Sequence, residues 1–118
     1  MGGYLFYPPA DAAQDRIWKD TVVQWGEAQA VSYIKGLHAY LQTLSETKAL
    51  WRRLPSALAV PADLKAQLFF SRYERYYLFF RELPSGKIGV IVILYDRMDI
   101  PVRLHEDLVG LSGKLDDF

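Results

Sequence analysis

The 118-residue chain has no cysteine and only two histidines. The lack of cysteine excludes disulfides and thiolate metal sites. His38 and His105 are far apart and do not have the spacing of metal ligands, so we expect neither a metal nor a cofactor. The chain also lacks a nucleophile elbow and a phosphate-binding glycine loop, which argues against a conventional hydrolase or nucleotide-binding enzyme.

Net charge and long apolar runs are missing as well. Fourteen basic and fourteen acidic side chains give a formal charge of zero, which argues against a general field for binding polyanions. No apolar stretch reaches the roughly 20 residues that span a bilayer, and the N-terminus lacks a signal-peptide layout. We therefore expect a soluble, cytoplasmic protein that forms one globular domain over residues 1–118.

The first half of the chain predicts a strand and two helices. Residues 4–7 are aromatic and aliphatic and precede Pro8 and Pro9, which predicts a short strand and then a helix that ends near Gly26. The second helix is indicated by apolar residues at spacings of three and four, namely Val31, Ile34, Leu37, Leu41 and Leu44. Its end is left open, with Trp51 or Leu54 as possible limits. The glycine turn between the helices predicts an antiparallel hairpin.

The second half changes to the two-residue period of strands. Residues 66–71, 75–82 and 88–95 predict a three-stranded antiparallel sheet, to which the first strand could pair in parallel. Asp99 is placed to cap a short helix through Leu108, and residues 110–118 are predicted to form a mobile tail. The fold class is thus α+β, with the helix hairpin on one sheet face and the other face open.

The run "SRYERYYLFFR" alternates arginine with tyrosine. It could be an RNA-binding platform, because aromatic rings stack on bases and arginines bind phosphates. It could equally bind a protein, since tyrosine and arginine dominate binding hot spots, or it could be an ordinary solvated strand. Metal-free RNA cleavage would require Tyr95 or Asp96 for proton transfer, with Arg75 and Arg97 as cations. Tyrosine ordinarily titrates near pH 10, so Tyr95 would be a weak base.

Two motifs, in this order, resemble the RelE/ParE superfamily of type II toxin-antitoxin toxins, which includes plasmid stabilisation proteins. The first is "WG-x-x-QA-x-x-Y", from Trp25 to Tyr33. The second is "IL-x-x-R-M-D-I-P", from Ile93 to Pro101. The superfamily fold, a helix hairpin packed on a small antiparallel sheet, agrees with the predicted elements.

The resemblance implies a small toxin that a cognate antitoxin protein neutralises. Its ParE-like members inhibit DNA gyrase without catalysis, whereas RelE-like members cut mRNA on the ribosome. The helix hairpin and the "R-M-D" ending are closer to the ParE side, so we expect a gyrase inhibitor that is not an enzyme and does not itself bind specific DNA sequences. A RelE-like endoribonuclease and a degenerate, inactive member are the alternatives.

The resemblance also suggests site residues. The antitoxin is expected in the groove between the hairpin and the sheet edge, where its predicted contacts are Trp18, Trp25, Tyr33, Tyr73, Arg75 and Tyr77. In the nuclease alternative, the catalytic residues would be Arg75, Tyr95 and Arg97. Tyr95 stands where related "ILH" endings have histidine, and this departure weakens the nuclease reading because histidine is better suited to proton transfer near neutral pH.

Overall fold

A computed structural model describes residues 2–56, 58, 60–111 and 113–117 of the chain. In this part of the chain, the sheet has five strands in the order β1-β5-β4-β3-β2. The strands are β1 (Tyr4–Phe6), β2 (Arg52–Arg53), β3 (Leu68–Tyr73), β4 (Tyr76–Glu82) and β5 (Ile88–Tyr95). The helices are α1 (Pro8–Trp25), α2 (Glu27–Glu46), α3 (Ala62–Lys65) and α4 (Ile100–Val109), and short 3-10 turns cover Lys48–Leu50 and Leu115–Asp117.

The α+β class and the helix hairpin are confirmed, and the sheet is larger than the three strands predicted. β1 pairs in parallel with β5 from Tyr4 opposite Ile88 to Phe6 opposite Val90. At the other edge, Arg52 and Arg53 pair antiparallel with β3. A two-residue strand has no periodicity of its own, so β2 becomes recognisable only through its partner strand.

The second helix ends earlier than Trp51 or Leu54. It ends at Glu46, and Thr47 leaves the helical conformation with φ −128°. The indole Nε1 of Trp51 then donates a hydrogen bond of 2.7 Å to the carbonyl of Leu44. The same carbonyl accepts from the Thr47 amide at 3.3 Å, so Trp51 adds a second bond at the helix end and helps to end the helix rather than to continue it.

One sheet face packs against the helix hairpin. Its core consists of small and aliphatic residues from α1 and α2 and of residues from β4 and β5: Ala10, Ala13, Ile17, Leu37, Leu41, Leu44, Leu78, Phe80, Ile88, Val90 and Ile93. Trp51, Phe69 and Tyr76 pack against its rim. This face therefore joins the sheet to the hairpin through a continuous apolar layer.

The prediction that the other face lies open was wrong. It carries a second core in which Leu104 and Leu108 of α4 pack with Phe79, Ile91 and other sheet residues. Phe79 is only 3% exposed. The apolar stripe of α4 is short, and the sequence does not indicate which sheet face this helix covers.

The segment predicted as a mobile tail has contacts with the body of the domain. The Tyr7 hydroxyl donates to the Leu115 carbonyl at 2.7 Å, and Arg81 Nη1 lies 3.0 Å from Asp116 Oδ1. Leu115 itself is buried in the second core. Mobility over residues 110–118 stays a prediction, and Ser112 and Phe118 lie outside the described residues. Among the described helices, none combines the length and the apolar character needed to cross a membrane.

Candidate functional site

A cleft of about 460 Å³ opens between the tip of the helix hairpin and one end of the sheet. The C-terminal half of α1 and the start of α2 form one wall. The β3–β4 turn, the end of β5 and Met98 form the other. Gly26, which joins the two helices, has φ +91°, a conformation that favours glycine. The sharp reversal at Gly26 therefore places residues from both helices at the same cleft.

The hairpin tip exposes large apolar side chains beside this cleft. Trp25 is 72% exposed and Val23 is 84% exposed. Trp25 lines the cleft, whereas Val23 does not. An exposed tryptophan at the edge of a concave site offers a large contact area at low conformational cost.

Tyrosines form the inner wall of the cleft. The ring centroid of Tyr33 on α2 lies 6.1 Å from that of Tyr76 on β4, and Tyr76 lies 5.3 Å from Tyr95, its cross-strand partner on β5. Behind this wall, Tyr73 packs edge-on against Tyr33 at 5.6 Å and lies 5.4 Å from Tyr40. Tyr73 thus supports the wall without lining the cleft.

Two tyrosines of the wall, Tyr33 and Tyr76, have raised pKa values. Burial raises the pKa of Tyr33, and the nearby Tyr76, Tyr73 and Glu74 raise this pKa further. Burial also raises the pKa of Tyr76, with Asp20 as the next cause. Both hydroxyls therefore stay protonated at neutral pH, where they can donate hydrogen bonds but are poor bases.

Charges of both signs lie around the cleft. Arg16 and Asp20 are exposed on α1, and Glu74 and Arg75 are exposed in the β3–β4 turn. Two cations and two anions leave no strong field of one sign. This pattern suits a protein partner with its own mixed charges better than a polyanion.

The structure brings together only part of the predicted site. Four of the predicted residues line the cleft, namely Trp25, Tyr33, Arg75 and Tyr95. Four others do not, and one of them is Tyr73, which supports the wall from behind. Trp18 is half-buried on α1, Tyr77 packs against the core of the opposite sheet face, and Arg97 is exposed in the turn after β5. The antitoxin contacts stay predictions, as do the catalytic roles of the nuclease alternative.

Arg72, which the sequence prediction left out of the site, pairs with Asp96. Its Nη2 lies 2.8 Å from Asp96 Oδ2. Asp99 caps α4, as predicted, by accepting a hydrogen bond from the Val102 amide. The alternation of arginines and tyrosines in "SRYERYY" marked Arg72 as a possible binding residue. The sequence could not show its contact with Asp96, which lies 24 residues away.

The part of the chain described by the structure contains no cluster of three or more histidine, cysteine, aspartate or glutamate side chains that could hold a metal ion. What the cleft offers is an aromatic wall, an exposed indole, hydroxyl donors and charges of both signs. These are the components of a surface that binds a polypeptide.

Comparison with known proteins supports the resemblance seen in the sequence. A family model described as the ParE toxin of type II toxin-antitoxin system, parDE, matches residues 4–100. The chain is 28% identical over 101 residues to Toxin ParE1 of Mycobacterium tuberculosis (strain ATCC 25618 / H37Rv), which covers 86% of this chain and 96% of the relative. It is 27% identical over 110 residues to Toxin ParE of Escherichia coli, covering 93% and 100%. Every residue that lines the cleft lies within the matched range.

Proposed function

Because the chain belongs to the ParE toxin family of type II toxin-antitoxin systems, we propose that it inhibits DNA gyrase and is neutralised by a cognate antitoxin protein. The observation that carries this proposal is the cleft, in which the exposed Trp25 stands beside the tyrosine wall. Such a surface binds a protein without catalysing a reaction. We place this activity in the cytoplasm, where a gyrase inhibitor would meet its target.

We propose that the antitoxin contacts the cleft through Trp25, Tyr33 and Arg75. These three side chains come from the two helices and the β3–β4 turn, so one bound segment could touch all of them. Tyr73 would contribute indirectly, by supporting Tyr33. Trp18 and Tyr77 would contact the antitoxin only where it extends beyond the cleft, because Tyr77 lies on the opposite sheet face.

One observation favours the nuclease alternative, because Arg75 and Tyr95 do line the same cleft. Two others oppose it. RNA cleavage needs a base that titrates near neutral pH, and histidine, the side chain best suited to that role, is not among the described residues that line the cleft. The second predicted cation, Arg97, does not line the cleft. Gyrase inhibition therefore accounts better for the site.

Purified protein added to a gyrase supercoiling reaction tests the proposal. We expect dose-dependent loss of supercoiling and, in cells that express the protein, arrest of DNA synthesis before translation. Cleaved transcripts with early translation arrest would instead establish the nuclease alternative. Normal growth at confirmed expression, together with unaffected supercoiling, would establish an inactive member.

Two matched substitutions test the role of the cleft in binding. Trp25→Ala removes an exposed side chain that lines the cleft, and Val23→Ala removes one that lies outside it on the same helix. The cognate antitoxin should bind the Trp25→Ala variant at least about tenfold more weakly than the wild type, as is typical of hot-spot residues. Its affinity for Val23→Ala should stay at the wild-type value. Equal affinities for both variants would place the antitoxin elsewhere.

A further inference from the structure

We propose that Arg72 is a positioning residue for the cleft, and that it holds from the back of the sheet the turn that carries Arg75 and the turn that follows Tyr95. This inference rests on the proposed function of the cleft. Arg72 does not line the cleft itself. It pairs across the strands with Tyr77, whose side chain packs on the sheet face away from the helix hairpin.

The guanidinium of Arg72 joins three parts of the chain. Its Nε donates to the Glu74 carbonyl in the β3–β4 turn at 3.0 Å. Its Nη2 donates to Asp96 Oδ2, beyond the end of β5, at 2.8 Å. Between these two turns, the guanidinium carbon lies 5.4 Å from the centroid of the Tyr77 ring. Arg72 therefore spans β4 and ties the turn on one side to the turn on the other.

Both turns carry the residues that line the cleft. The Asp96 amide donates to the Arg75 carbonyl at 2.8 Å, and the Met98 amide donates to the Tyr95 carbonyl at 3.0 Å. Fixing Asp96 therefore fixes the backbone of Arg75 directly. It also fixes the start of the turn from which Tyr95 and Met98 reach the cleft.

Two features indicate that these turns need an external support. Glu74 has φ +53°, a conformation that side chains other than glycine rarely adopt. Asp96 Oδ1 is buried and has no hydrogen-bond partner among the described residues, so Arg72 is the contact that orients this carboxylate. Arginine suits the role because its planar fork holds Nε and Nη2 apart in a fixed geometry, whereas a lysine ammonium donates from a single nitrogen.

The exposure of the pair separates positioning from stability. The Arg72 side chain is 52% exposed and that of Asp96 is 16% exposed. Ion pairs with an exposed partner contribute little to global stability, because water screens them. Loss of Arg72 should therefore disturb the cleft more than it disturbs the fold.

Arg53 provides a matched control. It is an exposed arginine on β2 that lies over an aromatic ring, with its guanidinium carbon 4.4 Å from the Phe69 centroid. It also donates to a backbone carbonyl, that of Ala66, at 2.8 Å. Arg53 does not line the cleft at the hairpin tip. Arg53→Ala therefore removes contacts of the same kind at a place that should not matter for the cleft.

The test compares the wild type with Arg72→Ala, Arg72→Lys and Arg53→Ala. Amide hydrogen exchange, measured by NMR, should be faster at Asp96 in both Arg72 variants, while amides in the middle of β4 and β5 keep their wild-type rates. Gyrase inhibition and growth arrest should fall about tenfold or more in Arg72→Ala and should not be restored by lysine, since a small displacement of a binding group has effects of this size. Arg53→Ala should match the wild type in each assay, and all variants should melt within about 4 °C of it.

The outcomes separate this inference from the proposed function. Wild-type exchange at Asp96 in Arg72→Ala, or full activity of that variant, would overturn the positioning role. A fall in activity that is matched by a large fall in melting temperature would show a structural role instead. If the wild type arrests growth without affecting gyrase, the proposed target is wrong. Growth arrest by the Arg72 variants would then still test the positioning role. If the wild type has neither effect, the exchange rate at Asp96 alone decides whether Arg72 holds the turn.

Discussion

Replacement of Gly36 by alanine tests how closely the helix hairpin approaches the sheet. Gly36 lies in the middle of α2, where glycine is about 1 kcal/mol less favourable than alanine. Helix propensity alone therefore predicts that Gly36→Ala stabilises the protein. The structure predicts the opposite, because a Cβ at this position would overlap the hydroxyl oxygen of Tyr73.

The size of the effect follows from the atoms that surround the new methyl group. Overpacking of this kind costs about 1–3 kcal/mol, so the net loss after the gain in propensity is up to about 2 kcal/mol. The Tyr73 ring cannot retreat without cost, since it packs against Tyr33 and Tyr40. Without the hydroxyl, the next Tyr73 atom is Cζ at 3.6 Å from the new Cβ, an ordinary van der Waals distance. In a Tyr73→Phe background, Gly36→Ala should therefore stabilise the protein by up to about 1 kcal/mol.

Urea unfolding of the wild type, the two single variants and the double variant measures this change of sign. We expect a coupling free energy of about 1–3 kcal/mol with similar m-values, as for residues in direct contact. Tyr40→Phe is the control background, because its ring is adjacent to Tyr73 but its hydroxyl bonds to Ser71 instead. Gly36→Ala should still destabilise the protein in that background. An equal effect of Gly36→Ala with and without the Tyr73 hydroxyl would refute the reasoning.

Three further predictions concern local conformation and charge. Glu74→Gly should raise the free energy of unfolding by up to about 1 kcal/mol, because φ +53° is strained for glutamate; a loss of stability in urea titrations would contradict this. Asp99→Ala should cost about 0.5–1 kcal/mol by removing the cap on the Val102 amide, with faster exchange confined to the first turn of α4 as the local readout. Burial raises the pKa of Asp107 above its ordinary value of 3.8, so the folded state binds the proton more tightly and stability falls as pH rises through the raised pKa. Asp107→Asn should therefore be more stable than the wild type at pH 7, and this advantage should shrink as the pH falls towards 4; an advantage that is constant with pH would exclude the titration.

Two of the predicted site residues line the cleft because the local sequence sets their position. Trp25 and Tyr33 lie eight residues apart on either side of Gly26, so a glycine turn brings both to the hairpin tip. Tyr77 does not line the cleft, because neighbouring residues of a strand point to opposite faces. Tyr76 therefore lines the cleft while Tyr77 faces the second core. The composition of the run does not show which sheet face each tyrosine occupies.

The second core illustrates what periodicity could not resolve. Residues 88–95 are apolar throughout, so neither face could be assigned from the sequence. A register shift places Phe80 opposite Val90 and Phe79 opposite Val92, which leaves Ile91 as an extra residue. As a result, Ile91 and Val92 both join the second core, while Val90 and Ile93 join the first. A β-bulge interrupts the alternation on which strand assignments rest.

The sequence by itself determined the local elements of this protein and its family. Each of these elements depends on neighbours a few residues away, as in the proline and glycine at the ends of α1, the apolar stripe of α2 and the Asp99 cap. The order of the two motifs indicated the family. Only the tertiary structure decided which face each strand residue occupies, what covers the second face and which carboxylate Arg72 contacts. Those outcomes depend on pairs such as Arg72 and Asp96, 24 residues apart, whose contact arises only when β3, β4 and β5 align.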